Sequence, residues 1–426
     1  MGHADAGCPI AGPDKERGNG ETMTTEHQHN TTRIVLFLVL MVLVSLNLRP
    51  ALSSLAPLLV RVQLDTGLSP LAIGALTTLP VLCLGVFAPL APWLARRLGP
   101  ENTLTLALVL MILGLLIRGT PPTILLFAGT LLAGAAIGIA GTLLPALVKR
   151  EIPAGADLMT GVYTMALCLG GALGAGLSIP LTDLLGNWRL SLIGWSLPSV
   201  TALLAWVMLM PRTPRAAPSP GGGGSLRQLL SQPLAWHVML YMGTQSSLAY
   251  IVFGWLPTLL QARGYSESEA GWMMGASVMV QLISALGAPW LARFGRDQRP
   301  ALMLTLGCVG AGLWLLLQGP TGWRWAGVVL LGLGQGGSFS LALALIVLRT
   351  GNSRLAGKLS GLAQGGGYTL AAMGPLTVGV LLQFDVSLTA LTTALLSIVA
   401  AAASFALLAG RNRRLDVDEA GRLITR

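Results

Sequence analysis

The residue with the clearest chemical potential is Arg49, in the stretch SLNLRPALSS that directly follows the apolar run IVLFLVLMVLV. Counted from Ile34 at the helical rise, Arg49 lies about 22 Å along the segment, past the middle of a membrane but within its hydrocarbon. A guanidinium at such a depth costs roughly 2.5–3.5 kcal/mol, so it should face a water-filled cavity or a partner. Its planar donors suit an anion or a polarised nitro or carboxylate group. We therefore expect Arg49 to bind the substrate.

No buried acidic residue is available to pair with Arg49. All 17 Asp and Glu residues fall in tails, loops or the ends of apolar segments. Two structural alternatives compete with substrate binding. Arg49 can extend its head towards the membrane surface, or it can bond carbonyls that Pro50 and Pro57 release from the helix.

Neutral polar side chains in other apolar segments can orient a small polar solute around one charge. Gln335 and Ser338 lie one helical turn apart, as do Gln364 and Tyr368, so each pair shares a helix face. The expected substrate-binding residues are Asn47, Arg49, Gln245, Tyr250, Gln335, Gln364 and Tyr368, with Tyr163, Trp255 and Ser338 as weaker candidates. The alternative for each glutamine is a structural hydrogen bond between helices, and Trp and Tyr also form interfacial belts. Arg118 is predicted to anchor the third segment at the interface.

Long apolar segments must position these side chains. The 426 residues are 53% hydrophobic and 10% charged, with a mean hydropathy of +0.70, which is typical of a membrane protein. Each segment is predicted to be helical, because lipid leaves no backbone group unpaired and a crossing takes about 20 residues. The twelve predicted spans are 34–60, 70–94, 102–118, 122–148, 158–182, 189–210, 234–260, 269–292, 300–318, 325–348, 356–383 and 388–410.

The loops between the spans alternate in charge. Those on the side of the N-terminus hold most of the 27 Lys and Arg residues, which predicts that both termini are cytoplasmic. This topology explains the formal net charge of +10 without a nucleic-acid partner. The opposite loops hold Arg61, Arg118, Arg189, Arg263 and Arg324.

An internal repeat divides the chain into two halves. The hexapeptide APWLAR at 91–96 returns at 288–293, an offset of 197 residues, and Gly161 and Gly174 return as Gly361 and Gly374 at an offset of 200. Such repeats place the substrate between two bundles near the membrane midplane. The predicted organisation is a disordered cytoplasmic tail (1–32), two six-helix bundles (33–210 and 233–410), a cytoplasmic linker (211–232) and a cytoplasmic tail (411–426).

Motifs for other functions are absent or misplaced in the sequence. GLGQGG at 332–337 matches a dinucleotide fingerprint in letters alone, because it lies inside a predicted span and no strand precedes it. The four cysteines show no metal-ligand spacing, so we expect no disulfide, no metal and no cofactor.

Four segments carry a specific resemblance: LNLRPALSSLAPLL, GTQSSLAYIVFGWLP, GLGQGGSFSLALALIVLRT and GLAQGGGYTLAAMGPL. They resemble the cyanate/2-nitroimidazole transporter family of the major facilitator superfamily, over residues 33–410. The resemblance implies twelve helices in two pseudo-symmetric bundles and a bacterial inner-membrane transporter of small, compact solutes.

Two basic loops occupy the place of a loop signature of that superfamily, which contacts helix ends when the cytoplasmic side is closed. Their candidate gating residues are Arg96, Arg97, Arg293 and Arg296. The usual glycine and aspartate are replaced by Ala91, Pro92 and Trp93. A plain positive-inside anchor explains the arginines equally well.

The functional expectation is a monomeric secondary active or facilitative transporter for a small anionic or polar solute, working by alternating access in the lipid bilayer. Besides Arg49, His237 is the one ionisable candidate within the spans, which favours a facilitator, an exchanger or a proton that travels on the substrate. A drug or metabolite exporter is the first alternative and predicts a larger, aromatic-lined cavity, although only 6% of residues are aromatic. A membrane sensor or enzyme is the alternative of another class.

Overall fold

The computed structural model describes residues 2, 34–210, 226–384, 386–418 and 422–426. Nearly all of the predicted N-terminal tail and most of the predicted linker therefore lie outside the described residues. The last part of the linker, which the sequence predicts as a flexible loop, includes a five-residue helix.

Helices dominate the described residues, as the composition predicts. A short 3₁₀ turn, Ala56–Leu58, separates the helix Pro50–Ser53 from the helix Leu59–Thr66. In chain order they are α1 (34–48), α2 (Pro50–Ser53), α3 (Leu59–Thr66), α4 (Pro70–Phe87), α5 (Leu90–Leu98), α6 (Pro100–Arg118), α7 (Ile124–Glu151), α8 (Ala156–Leu185), α9 (Trp188–Gly194), α10 (Ser196–Leu209), α11 (Leu226–Leu230), α12 (Pro233–Ala262), α13 (Glu267–Leu291), α14 (Arg299–Leu317), α15 (Arg324–Leu348), α16 (Ser353–Gln383) and α17 (Leu388–Ala409).

Most of these helices are long and apolar enough to cross a membrane. Within the described residues ten spans meet both requirements, and α4 with α5 gives an eleventh that bends by 52°. Helix α12 is also long enough, with 30 residues, but its tyrosine, glutamine, serine and histidine side chains make it less apolar. With α12 the crossings number twelve, as predicted.

Local sequence explains where several of these helices begin. Ser266 and Glu269 form a capping box before α13, in which each side chain accepts a hydrogen bond from the backbone of the other residue. Asn352 and Ser387 cap α16 and α17 through their side-chain oxygens. GLGQGG lies inside α15, so its glycines do not form a phosphate-binding turn.

The contacts of four glycines follow the sequence repeat. Gly174 of α8 packs against Pro50, and Gly374 of α16 packs against Ser247. Because Pro50 and Ser247 are 197 residues apart and the two glycines 200 apart, these contacts are equivalent in the two halves. Small residues let the backbones approach closely at both places.

The two halves also meet through equivalent contacts. Gly161 of α8 faces Pro289 of α13, and Gly361 of α16 faces Pro92 of α5. A Cβ atom added at Gly161 would lie 3.2 Å from the Pro289 ring, and one added at Gly361 would lie 3.0 Å from the Pro92 ring. The halves are therefore in close contact along both α8–α13 and α16–α5.

The C-terminal segment contains a feature that the sequence prediction missed. Strands β1 (Leu415–Val417) and β2 (Leu423–Thr425) form an antiparallel hairpin. Leu415 is fully buried and exchanges backbone hydrogen bonds with the segment 349–351. The predicted tail thus packs onto the end of the helical bundle, where its β-branched and leucine side chains find apolar contacts.

Candidate functional site

The first span is broken at the position that the sequence singles out. Helix α1 ends at residue 48, and α2 begins at Pro50, which has no backbone N–H to continue the ladder. The Arg49 carbonyl still accepts hydrogen bonds from the backbone of Leu52 and Ser53. Arg49 itself keeps right-handed helical backbone angles (φ −82°, ψ −35°), so the break is a loss of hydrogen bonding within one span.

Arg118 supports the break, and the prediction that it anchors the membrane interface is wrong. Its side chain is completely buried at the end of α6. It donates to the Ala51 carbonyl oxygen at 2.7 Å and to Ser54 Oγ at 2.6 Å. Arg118 thus holds the end of α2 from the neighbouring span, whereas the carbonyl that Pro50 leaves without its helical donor is that of Leu46.

Arg49 lines a small cavity between the two halves. The space measures about 20 Å³, little more than one water molecule requires. Only Arg49 and Cys168 come from the N-terminal half. The lining residues are Arg49, Cys168, Ser246, Ala249, Tyr250, Phe253, Gln281, Gln335, Phe339 and Tyr368.

The Arg49 guanidinium has an aromatic neighbour but no hydrogen-bond or ion-pair partner among the described residues. Its Cζ lies 4.9 Å from the centroid of the Phe339 ring, on α15 of the opposite half. Such a cation–π contact contributes about 0.5–2 kcal/mol and leaves the in-plane donors free. No acidic residue is among the described residues that line the cavity. The cavity therefore presents an uncompensated positive charge.

Amide and hydroxyl groups surround this charge. Gln281 Nε2 donates to Gln335 Oε1 at 3.3 Å, and Gln335 Nε2 donates to the Leu248 carbonyl oxygen at 3.5 Å. The Tyr250 and Tyr368 rings meet edge to face, with centroids 6.4 Å apart. These groups give the C-terminal half neutral donors and acceptors opposite Arg49.

Of the predicted site residues, Arg49, Tyr250, Gln335 and Tyr368 line the same cavity. Asn47 instead bonds within the N-terminal half, donating to the Leu43 carbonyl oxygen at 2.8 Å. Gln364 crosses between the halves, where it donates to the Gly141 carbonyl oxygen at 3.2 Å.

The remaining candidates are buried or bonded beside the cavity. Gln245 donates to Ser246 Oγ at 2.7 Å, and Trp255 donates to the Pro375 carbonyl oxygen at 2.9 Å. Ser338 donates to the Gln335 carbonyl oxygen, and Tyr163 is buried in the apolar core. These four and Asn47 and Gln364 do not line the cavity.

Several lining residues were missed from the sequence. Gln281 carries a usable signal, since it is a polar residue inside the apolar stretch MVQLISAL. Phe253, Phe339, Ala249 and Cys168 carry none, because apolar residues in a span face lipid, core and cavity alike. Only the packing of the halves distinguishes them.

One of the predicted gating arginines joins the two halves. Arg293, which follows α13, donates two hydrogen bonds of 2.6 Å to the carboxylate of Asp157 on α8. This bond raises the pKa of Arg293 above its usual value. Arg97 lies over the Trp93 ring at 4.5 Å, and Arg96 and Arg296 are exposed. The Asp157–Arg293 pair therefore links the two halves at one end of the bundle.

No group of three or more His, Cys, Asp or Glu side chains is placed to hold a metal ion within the part of the chain that the structure describes. The groups that line the cavity are one guanidinium, amides, hydroxyls, a thiol and aromatic rings.

Comparison with known proteins adds a family match and several relatives. The family model described as Major Facilitator Superfamily matches residues 35–375. A Bacillus subtilis protein named uncharacterized transporter YycB is 37% identical over 83% of this chain and 89% of its own.

Two Escherichia coli proteins carry more specific names. The 2-nitroimidazole transporter is 34% identical over 90% of this chain and 97% of its own. The cyanate transport protein CynX is 32% identical over 81% of this chain and 89% of its own.

A solved structure shares the fold. The proton:xylose symporter XylE, bound to 6-bromo-6-deoxy-D-glucose, superimposes with a TM-score of 0.73 over 89% of this chain and 95% of that one. Its sequence identity of 14% limits this likeness to the fold.

Proposed function

The chain belongs to the major facilitator superfamily, with the cyanate and 2-nitroimidazole transporters, and from this premise we propose that it carries a small anionic or polar solute by alternating access. It is a multi-pass membrane transporter of that superfamily. The proposed substrate is cyanate-like or nitroimidazole-like, and the proposed location is a bacterial inner membrane with both termini in the cytoplasm.

The single observation that carries the proposal is the unpaired guanidinium of Arg49 in the cavity between the halves. It is only partly exposed, and among the described residues it has no hydrogen bond and no ion pair, although a charge withdrawn from water normally requires a partner. A solute with a negative charge or a polarised nitro group supplies the missing acceptor. Gln335, Tyr250 and Tyr368 are then placed to contact the rest of the solute.

The shape of the cavity bears on the alternative of a drug or metabolite exporter. Four of the ten lining residues are aromatic, a feature that the sequence argument assigned to the exporter. The space of about 20 Å³ is smaller than any of these solutes, so substrate binding requires the halves to move apart first. Aromatic walls in a tight space suit a small flat molecule, and we therefore retain the small solute as the proposed substrate.

Alternating access requires the halves to separate and rejoin around the cavity. We propose that the Asp157–Arg293 pair closes the cytoplasmic end and breaks when that end opens. Arg96, Arg97 and Arg296 have the lesser proposed role of lining the same end.

Transport by purified protein in liposomes tests the proposal. Uptake of cyanate and of 2-nitroimidazole is compared for wild type, Arg49→Lys and Arg49→Gln, with Arg422→Gln as an exposed control. A lost charge-assisted hydrogen bond of roughly 1.5–3 kcal/mol predicts at least a tenfold drop for Arg49→Gln. Arg49→Lys keeps the charge but not the planar donors, so it should retain part of the uptake. Wild-type uptake by both variants would overturn the role of Arg49.

A further inference from the structure

A second cavity lies within the C-terminal half, away from the substrate cavity. Its volume is about 200 Å³. It is formed where α12 begins, where α17 ends and where the last strand β2 passes between them. The lining residues are Gln232, Pro233, Leu234, His237, Leu408, Arg411, Arg413 and Thr425.

The polar wall of this cavity is cationic. Among the described residues, the guanidinium groups of Arg411 and Arg413 have no hydrogen bond and no ion pair, and no acidic residue lines the cavity. Of the described acidic side chains in this segment, Asp418 pairs with Arg422, and Asp416 accepts a hydrogen bond from the backbone of Val417. Two arginines and the imidazole of His237 thus line one space in which the structure describes no carboxylate.

The backbone on both sides of the cavity is fixed by hydrogen bonds. Arg349, buried beside them, donates hydrogen bonds to the carbonyl oxygens of Ala409 and Gly410, which fixes the end of α17. Burial lowers the pKa of Arg349 to about 10, so it stays charged at neutral pH. On the other side, Gln232 donates to the Leu423 carbonyl oxygen and accepts from Thr425 Oγ1 at 2.8 Å. The end of α17, the start of α12 and strand β2, which form the cavity, are therefore held together by hydrogen bonds.

The remaining wall is apolar and lies at the end of two spans. Leu234 and Leu408 contribute this wall. Beside them, Trp236 is 42% exposed and donates its indole N–H to the Leu230 carbonyl oxygen, and Leu407 is also 42% exposed. A tryptophan in this position is typical of the level of lipid headgroups. The occupant should thus combine an anionic group with an apolar part.

We propose that this cavity binds the phosphate group of an anionic membrane phospholipid. The phosphate contacts Arg411 and Arg413, and the glycerol and upper acyl carbons pack against Leu408 and Leu234. Basic pockets at the ends of transmembrane helices bind such headgroups by the same combination. Free phosphate shares the charged chemistry but makes no use of the apolar wall. Because Thr425 belongs to the cavity, bound lipid also stabilises the packed hairpin.

Native mass spectrometry of the full-length protein tests this proposal. Retention of phosphatidylglycerol and of phosphatidylcholine is compared for wild type, the double variant Arg411→Gln/Arg413→Gln and the control Arg422→Gln. At about 1 kcal/mol for each arginine near the headgroups, the double variant should bind phosphatidylglycerol at least tenfold more weakly. The control and the binding of phosphatidylcholine should not change. Equal retention of phosphatidylglycerol by the double variant, or an equal loss in the control, would overturn the proposal.

Two further measurements keep the result unambiguous. Leu408→Phe leaves both arginines in place and narrows the cavity, so it should also weaken phosphatidylglycerol binding even if the double variant folds poorly. Inorganic phosphate titrated into wild-type protein should bind far more weakly than the lipid. Arginine-dependent binding of inorganic phosphate without retention of phosphatidylglycerol would assign the site to a soluble anion and contradict the lipid proposal.

Discussion

Span one and α12 are equivalent in the repeat, but they approach the central cavity in different ways. Span one is interrupted at Arg49 and Pro50, whereas α12 continues for 30 residues through the equivalent Ser246 and Ser247. Both Arg49 and Ser246 line the cavity. The repeat thus places equivalent residues of both halves at the cavity, but only the residue from the N-terminal half, Arg49, is charged.

The same asymmetry recurs where the halves meet. Asp157 on α8 holds Arg293 through two hydrogen bonds. At the equivalent contact of α16 with α5, the repeat offsets place Gly357 opposite Arg96, and Lys358 lies near enough to Arg96 for electrostatic repulsion. The equivalent of Asp157 is thus a glycine, so the second contact lacks this carboxylate.

Removing the support of the broken span should have the largest effect on stability. Arg118→Met deletes two hydrogen bonds from a charged donor, each worth roughly 1.5–3 kcal/mol, so we expect a loss of about 3 kcal/mol. Thermal unfolding in detergent measures it. Arg61→Met is the control, because Arg61 pairs with Asp183 at an exposed site and should cost less than about 1 kcal/mol. Equal losses would mean that the break does not depend on Arg118.

Alanine substitutions at Gly174 and Gly374, which are equivalent in the repeat, should differ in their cost to stability, because one packs against span one and the other against α12. In Gly174→Ala the new Cβ would lie 2.8 Å from the Pro50 Cα, a backbone atom that cannot rotate away. In Gly374→Ala it meets the Ser247 hydroxyl, which can rotate, and Ile251 Cδ1 at 3.1 Å. We expect Gly174→Ala to cost about 1–3 kcal/mol and Gly374→Ala less. The same unfolding assay applies, and the reverse order would contradict the comparison.

Breaking the Asp157–Arg293 pair should have a smaller effect. Asp157→Asn keeps the shape of the side chain but removes the charge, which should favour the open arrangement by about 1 kcal/mol, or roughly fivefold. Cys168, buried at the cavity between the halves, reports this through its rate of maleimide labelling in protein whose other cysteines are serine. In Asp183→Asn, which leaves the Asp157–Arg293 pair intact, Cys168 should be labelled at the wild-type rate. Unchanged labelling in Asp157→Asn would show that the pair does not control access.

Adding a carboxylate at the equivalent contact between α16 and α5 should have the smallest effect. Gly357→Asp places a carboxylate opposite Arg96, and a Cβ there makes only an ordinary contact of 3.5 Å with Ala146. A partly exposed pair contributes about 0.2–1 kcal/mol, so Cys168 labelling should slow by about twofold. Arg96→Gln added to this variant should restore the original rate. Slower labelling that persists in the double variant would point to packing instead of charge.

The helical fold and its twofold repeat followed from the sequence because lipid imposes long apolar helices and small residues recur at fixed offsets. The hairpin at 415–425 did not, since short strands in a polar segment carry no such constraint. The bend of 52° between α4 and α5 falls at Pro89, which interrupts the helical hydrogen bonds inside the predicted span 70–94.

The site could be predicted in part. Arg49 was identifiable because a charge in a span requires a partner. Arg118 was misassigned, because a position at the end of a span does not reveal whether a side chain turns inward. Phe339 and Gln281 reach the cavity from α15 and α13, and only the tertiary structure brings those helices to Arg49.

Equilibrium binding to purified protein tests the central claim most directly. Cyanate and 2-nitroimidazole are titrated into wild type, Arg49→Gln and Ser246→Ala, which alter the two equivalent positions of the cavity. The account predicts at least a tenfold weaker affinity for Arg49→Gln and at most about a twofold change for Ser246→Ala, because only Arg49 supplies charge. Wild-type affinity in Arg49→Gln would contradict it.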